Sequence, residues 1–146
     1  MSALMDTYET GFAKLLYQAV ALSLIADNTA TTPLTNIRYS LHTASPGSNE
    51  ATGTQATSEA AHAPYARISV ARTSAGHAVA SGVVNPVANV DFAACTSGTS
   101  TVTHFGNGTA TSGAGSLIIY GAVSPSISVS AGVTPRLTTA TAITWA

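Results

Sequence analysis

Between Leu4 and Ile25 apolar residues recur at three- and four-residue steps. Leu4, Tyr8, Phe12, Leu15, Leu16, Ala19 and Leu22 fall on one face, and Asp6, Glu9, Lys14 and Gln18 can occupy the other. That spacing predicts an amphipathic helix, weakened at Gly11 by about 1 kcal/mol relative to alanine. Asp27-Asn28-Thr29 and Pro33 end it, because proline cannot continue a helix without a kink. Beyond Pro33 the period changes to two. Ile37, Tyr39 and Leu41 alternate with Arg38, Ser40 and His42, and Ile68 and Val70 alternate with Arg67, Ser69 and Ala71. Further short strands are predicted around 77–84, 87–92, 100–105, 116–123, 126–129 and 140–145. Gly or Pro punctuates nearly every gap, the pattern of many short antiparallel strands rather than of strand–helix alternation. The expected fold is mainly β: an antiparallel β-sandwich or compact β-barrel with an N-terminal α-helix. It divides into a helical segment over 1–33 and a β-sandwich domain over 34–146.

Two connections stand out. Residues 44–64 hold Pro46-Gly47, Asn49, Gly53 and many Ser, Thr and Ala, which reads as a long loop. Loops of that length inside a compact domain are usually functional or disordered. Asn107-Gly108 is a turn signal, and with Gly113 and Gly115 behind it the region reads as a loop projecting from the rim of the sheet.

Composition narrows the function classes. The 146 residues fit one domain able to bury its own core. Only 8% are charged while 45% are hydrophobic, so little charge keeps copies apart and burial against other subunits is expected. With 5 Lys+Arg against 6 Asp+Glu the formal net charge is -1. Lys14, Arg38, Arg67, Arg72 and Arg136 are scattered along the chain, which argues against direct nucleic-acid binding, since phosphate neutralisation needs basic groups on one face. The start carries Asp6 and Glu9 and no basic run before an apolar stretch, so no secretory signal is expected. The apolar stretch from Leu15 to Ile25 is shorter than the roughly 20 residues that cross a bilayer, and no membrane association is expected. Cys95 is the single cysteine. It has no internal partner and sits beside Phe92, Ala93 and Ala94, as a small buried hydrophobe would.

The chemistry-bearing residues form no recognisable constellation. His42, His62, His77 and His104 lack ligand spacing with one another, and the Glu59/His62 pair does not make a tetrahedral metal site. Ser40, His42 and Asp91 supply the residue types of a triad, but no GxSxG elbow accompanies them. Neither GxxxxGK[ST] nor GxGxxG occurs, and Glu50 and Glu59 both fall in the long loop. The expectation is therefore no enzyme, no cofactor and no metal. Arg38, Arg67 and Arg72 are candidates to pair with Asp91, Glu50 or Glu59, or with a carboxylate on a partner.

Tyr39-Ser40-Leu41-His42-Thr43-Ala44-Ser45-Pro46-Gly47 resembles a family of small tailed-bacteriophage virion proteins. Asn49-Glu50, Tyr65-Ala66-Arg67 with Ile68-Ser69-Val70, and Val102-Thr103-His104-Phe105-Gly106 extend the resemblance in order, over about 37–133. Members are described as capsid decoration or cement proteins, minor tail proteins or tail fibre proteins. The resemblance implies a virion protein made in the host cytoplasm, with Asn49 and Glu50 as loop-fixing or interface residues. A cement protein works by burying surface on several shell subunits, and a low-charge Ala/Thr/Ser face suits that at modest desolvation cost. The leading expectation is a decoration protein on the outer surface of the head, bound to the major capsid protein and self-associating, as a trimer or another ring. Cross-subunit contacts are expected from the N-terminal helix, with Tyr8, Phe12 and Leu16 on its apolar face, or from the 44–64 loop. The alternative is a minor tail or fibre component that connects tail proteins or touches the host surface.

Overall fold

The computed structural model describes residues 2–5, 7–8, 21–22, 25, 34–47, 52–80 and 83–144. Among these residues ten strands run in the order β1 (Ser2–Leu4), β2 (Asn36–His42), β3 (Ile68–Ala71), β4 (His77–Ala80), β5 (Val83–Pro86), β6 (Val90–Asp91), β7 (Ser100–Gly108), β8 (Leu117–Val129), β9 (Arg136–Leu137) and β10 (Ile143–Thr144). They pair antiparallel into a five-stranded sheet β1-β8-β7-β2-β3, a three-stranded sheet β10-β5-β4 and a two-stranded ladder β6-β9.

The register sorts side chains onto two faces. Tyr39 opposes Asn107 and Ile68, and Leu41 opposes Phe105. Since cross-strand partners share a face, Ile37, Tyr39, Leu41, Phe105, Asn107 and Ile119 point the same way. There they join Val90, Phe92, Cys95, Val102, Val129, Leu137 and Ile143 in the main core. The cover on this face is divided among the three-stranded sheet, the β6-β9 ladder and coil. The coil is tied down by bonds such as Phe92 N–H to Pro135 O at 3.0 Å and Cys95 N–H to Val133 O at 2.9 Å. Cys95 is buried, as its neighbours in sequence predict. A smaller cluster holds Met5, Tyr8, Leu22, Leu117 and Ile118.

Two features of the expected fold are corrected. Among the described residues the strands form neither a sandwich nor a closed barrel. Strand count and alternation do not fix which strands share a sheet, and β4, β5, β6, β9 and β10 have only two to four residues each, too few to build a second extended sheet. The N-terminal α-helix is likewise absent among the described residues. Ser2–Leu4 is a strand, paired Ser2 to Gly121 and Leu4 to Ile119; Leu22 is a bridge residue, Ile25 lies in a turn, and only Thr7 and Tyr8 have helical backbone. Without β1 the stretch Ile119–Gly121 of β8 would be a sheet edge with unpaired N–H and C=O groups, and pairing them outweighs the helical periodicity that begins at Leu4. The middle of the expected helix, 9–20, lies outside the described residues.

Elsewhere the period-two segments become β2, β3 and β7 close to their predicted positions. The predicted strands at 116–123 and 126–129 are one strand, β8, whose register against β7 shifts between Val102 and His104. The 77–84 segment divides into β4 and β5. Asn107-Gly108, a turn signal in sequence, ends β7, and the loop follows it at 109–116.

Candidate functional site

On the sheet face opposite the main core, β2 presents Arg38, Ser40 and His42 toward Gly108, Gly106 and His104 of β7. This polar face is not solvated: Ser40 and His42 are both fully buried. The segment after β2 folds back over it through an isolated bridge between His42 and Glu59, while Thr54 bridges Ser116. His42 Nδ1 lies 2.9 Å from Thr57 O, and because a carbonyl only accepts, Nδ1 carries the hydrogen. Nε2 of the neutral ring then accepts from Ser40 Oγ at 2.8 Å. Gln55, fully buried, accepts from Ala110 N–H at 2.9 Å and donates to Arg38 O at 3.3 Å. It fits because Gly108 and Gly115 have no Cβ, which at either position would collide with the Gln55 amide.

Arg67 completes this clamp. Its Nε donates to Glu59 Oε1 and its Nη2 to Glu59 Oε2, both at 2.7 Å, the bidentate fork that a carboxylate accepts from guanidinium. Nη1 reaches Ala110 O at 3.1 Å and Nη2 reaches Gly113 O at 2.6 Å. The Arg67 side chain is 2% exposed and that of Glu59 19%. Tyr65 donates its hydroxyl to Glu59 Oε1 at 3.0 Å and accepts Leu41 N–H at 2.9 Å. Burial pushes its phenol well above the usual tyrosine range. One buried ion pair thus holds two loops, 52–59 and 109–116, side by side. Their outer residues Ala56, Thr57, Ser58, Thr111, Ser112 and Ala114 are exposed and uncharged.

The residues picked out in sequence meet different fates. Arg67 pairs with Glu59, one of the three carboxylates weighed for it. Arg72 is exposed and donates to Leu34 O at 3.2 Å and Ile25 O at 2.6 Å. Arg38 is half-buried on β2, its Nε without a hydrogen-bond partner among the described residues. Tyr8 is buried in the smaller cluster. Phe12, Leu16, Asn49 and Glu50 lie outside the described residues. Ser40 and His42 are hydrogen-bonded, but no triad forms: both are sealed from solvent, and Asp91 pairs with Arg136 at the surface. Among the described residues no group of three or more His, Cys, Asp or Glu is placed to hold a metal ion. Gln55 carried no sequence signal, and the glycines opposite it, Gly108 and Gly115, read in sequence as turn and loop residues.

All four imidazoles are shifted the same way. Burial lowers His42, His62, His77 and His104 from the ordinary histidine value; at His42 the Thr57 carbonyl and Glu59 oppose the shift in part. A histidine depressed in the folded state leaves the unfolded chain binding the proton first. Stability is therefore fully present above about pH 6.5 and falls as pH drops below it. Thermal unfolding between pH 7 and 5 is expected to show Tm declining with acid, and a flat profile would contradict the burial of these rings.

No curated protein matches this chain. The family model described as "Podophage GP4 fiber I protein gp80" matches it over residues 12–145. That span contains β2 to β10 and every residue of the clamp from Ser40 to Gly113. The chain therefore belongs to the podophage GP4 fiber I protein gp80 family and is a structural virion protein of a tailed bacteriophage.

Proposed function

We propose that this protein is a non-enzymatic component of the phage tail fibre, joining fibre and tail parts and self-associating to do so. The observation that carries the reading is the match to a fibre protein family over 12–145. It favours the tail over the head-decoration role, because nothing in the family's description concerns the capsid shell. The clamp supports a part in assembly. Two neighbouring loops with neutral, hydroxyl-rich tips are held by a buried ion pair, so little loop entropy is left to lose when a partner docks. The surface has little charge to oppose association: among the described residues Arg136–Asp91 is an exposed ion pair and Arg72 an exposed cation.

Cryo-electron microscopy of intact virions tests the reading. Density for this chain in fibres or at the tail, in a few to dozens of copies, is the expected result. Density spread over the head lattice in hundreds of copies would overturn it and restore the decoration role.

A further inference from the structure

Ala63 joins two stretches of surface coil. Its N–H donates to Ser97 O at 2.9 Å, and its carbonyl accepts from Thr96 N–H at 2.7 Å and Ser97 N–H at 3.2 Å. One side chain on each stretch turns inward: His62 and Cys95 are both 2% exposed. The cover over them is thin, for Ala61, Ala63 and Pro64 on one stretch and 96–99 on the other are exposed. Cys95 Sγ shares its hydrogen between Ser97 O at 3.4 Å and Gly98 O at 3.5 Å. His62 packs edge-on to Tyr65, with ring centroids 5.4 Å apart. Its Nδ1 lies 3.3 Å from Ser100 Oγ, and its Nε2 is buried with no hydrogen-bond partner among the described residues.

A neutral imidazole carries one N–H and an imidazolium two. His62 can place one hydrogen, on Ser100 Oγ, so a second leaves a buried, charged N–H with no acceptor, which is costly in proportion to both its burial and its charge. His42 differs although it is fully buried: its cation donates from Nδ1 to Thr57 O and from Nε2 to Ser40 Oγ, whose own hydrogen turns to Gly106 O at 3.2 Å. His77 and His104 are half-buried. Among the described residues His62 is the one imidazole with a ring nitrogen both buried and unpartnered. No charge around it compensates. The Tyr65 hydroxyl is committed to Glu59, and Glu59 to Arg67. β7 brings Ser100, while its His104 stands opposite His42. The facing stretch 93–99 contains Cys95 as its one titratable group. We propose that His62 is an acid-sensitive latch: a proton taken from water by the bare ring nitrogen drives the imidazolium out through the thin cover, parting Ala63 from Thr96 and Ser97 and uncovering Cys95. In water the ring takes its proton near pH 6.5, and burial holds it lower in the closed state. Opening therefore grows below about pH 6.5, by up to about tenfold per pH unit, and levels off once the closed ring protonates too. The latch does not depend on where in the virion the chain sits.

Cys95, the single cysteine, is the reporter. The folded full chain is reacted with 4,4′-dithiodipyridine between pH 7 and 5, and each rate is divided by that of the urea-unfolded chain at the same pH, which removes the thiol's own ionisation. The ratio is expected to rise roughly tenfold or more on acidification. His62→Gln, which cannot take the proton, should remove the rise, and His104→Gln should keep it. Protection from amide hydrogen exchange should fall at Ala63, Thr96 and Ser97 and hold in β2 and β7. If His62→Gln fails to fold, NMR of the wild-type chain decides instead: the His62 ring must titrate together with the Ala63 and Ser97 amides. A flat ratio, a rise that survives in folded His62→Gln, or a His62 titration that leaves those amides unmoved overturns the latch. So does an equal loss of protection across β2 and β7, since the whole fold would then be opening.

Discussion

Arg67→Met is expected to destabilise the protein by about 3–5 kcal/mol, the usual cost of removing one partner from a buried ion pair. The loss exceeds that of a surface salt bridge because Glu59 is left without its partner with only 19% of its side chain exposed, while Ala110 O and Gly113 O lose their donors. A fall in Tm of roughly 10 °C at fixed protein concentration would follow. Hydrogen exchange should quicken first in 109–116 and 52–59, the loops that this side chain joins. Arg67→Lys should recover little, since an ammonium cannot form the two-pronged contact and still reach both carbonyls. The Arg136–Asp91 pair is the internal control: it too is an arginine–carboxylate pair, but about half of each side chain is in water. Arg136→Met should leave Tm nearly unchanged, as expected of a solvent-screened pair. Equal effects at the two sites would mean that the clamp does not organise the loops.

Leu41→Ala is the second large effect, expected at about 2–5 kcal/mol. Leu41 is fully buried in the main core opposite Phe105, and its neighbours on the strand, Ser40 and His42, are fully buried on the other face. Covered on both sides, β2 has little freedom to collapse around the missing atoms, which places the cost toward the upper end. Chemical denaturation of the purified protein measures it. A change below 1 kcal/mol would show that β2 is not held as described. The strand contains the start of the sequence block, Tyr39–Gly47, that resembles phage virion proteins, and both large predictions fall on residues of that resemblance. Tyr39 and Leu41 build the core, Ser40 and His42 lock the returning segment, and Tyr65 and Arg67 close it. The block is thus the scaffold under the loops, and the loop tips are what it presents.

The sequence by itself determined where most strands lie, because period-two alternation records which residues must face an apolar layer whatever that layer is. It also determined that Cys95 would be buried, that charge would be sparse, and that the residues form no catalytic motif. The ion pair of Arg67 was legible only as three alternatives, since carboxylates 8, 17 and 24 residues away are equally available to an unfolded chain. What only the tertiary structure decided is pairing. The choice of five strands for one sheet, with the rest left short, rests on contacts far apart in sequence. That Leu4, the first residue of the helical pattern, ends a strand with Ser2 and Ala3 was set by the open edge of β8, more than a hundred residues away. Asn107-Gly108 shows the same limit, for two residues with strong turn propensity end a central strand once Tyr39 and Arg38 stand opposite them. Local propensity is worth tenths of a kcal/mol to about 1 kcal/mol per residue, and satisfying a buried backbone group is worth more. Long-range pairing therefore prevails wherever the two disagree.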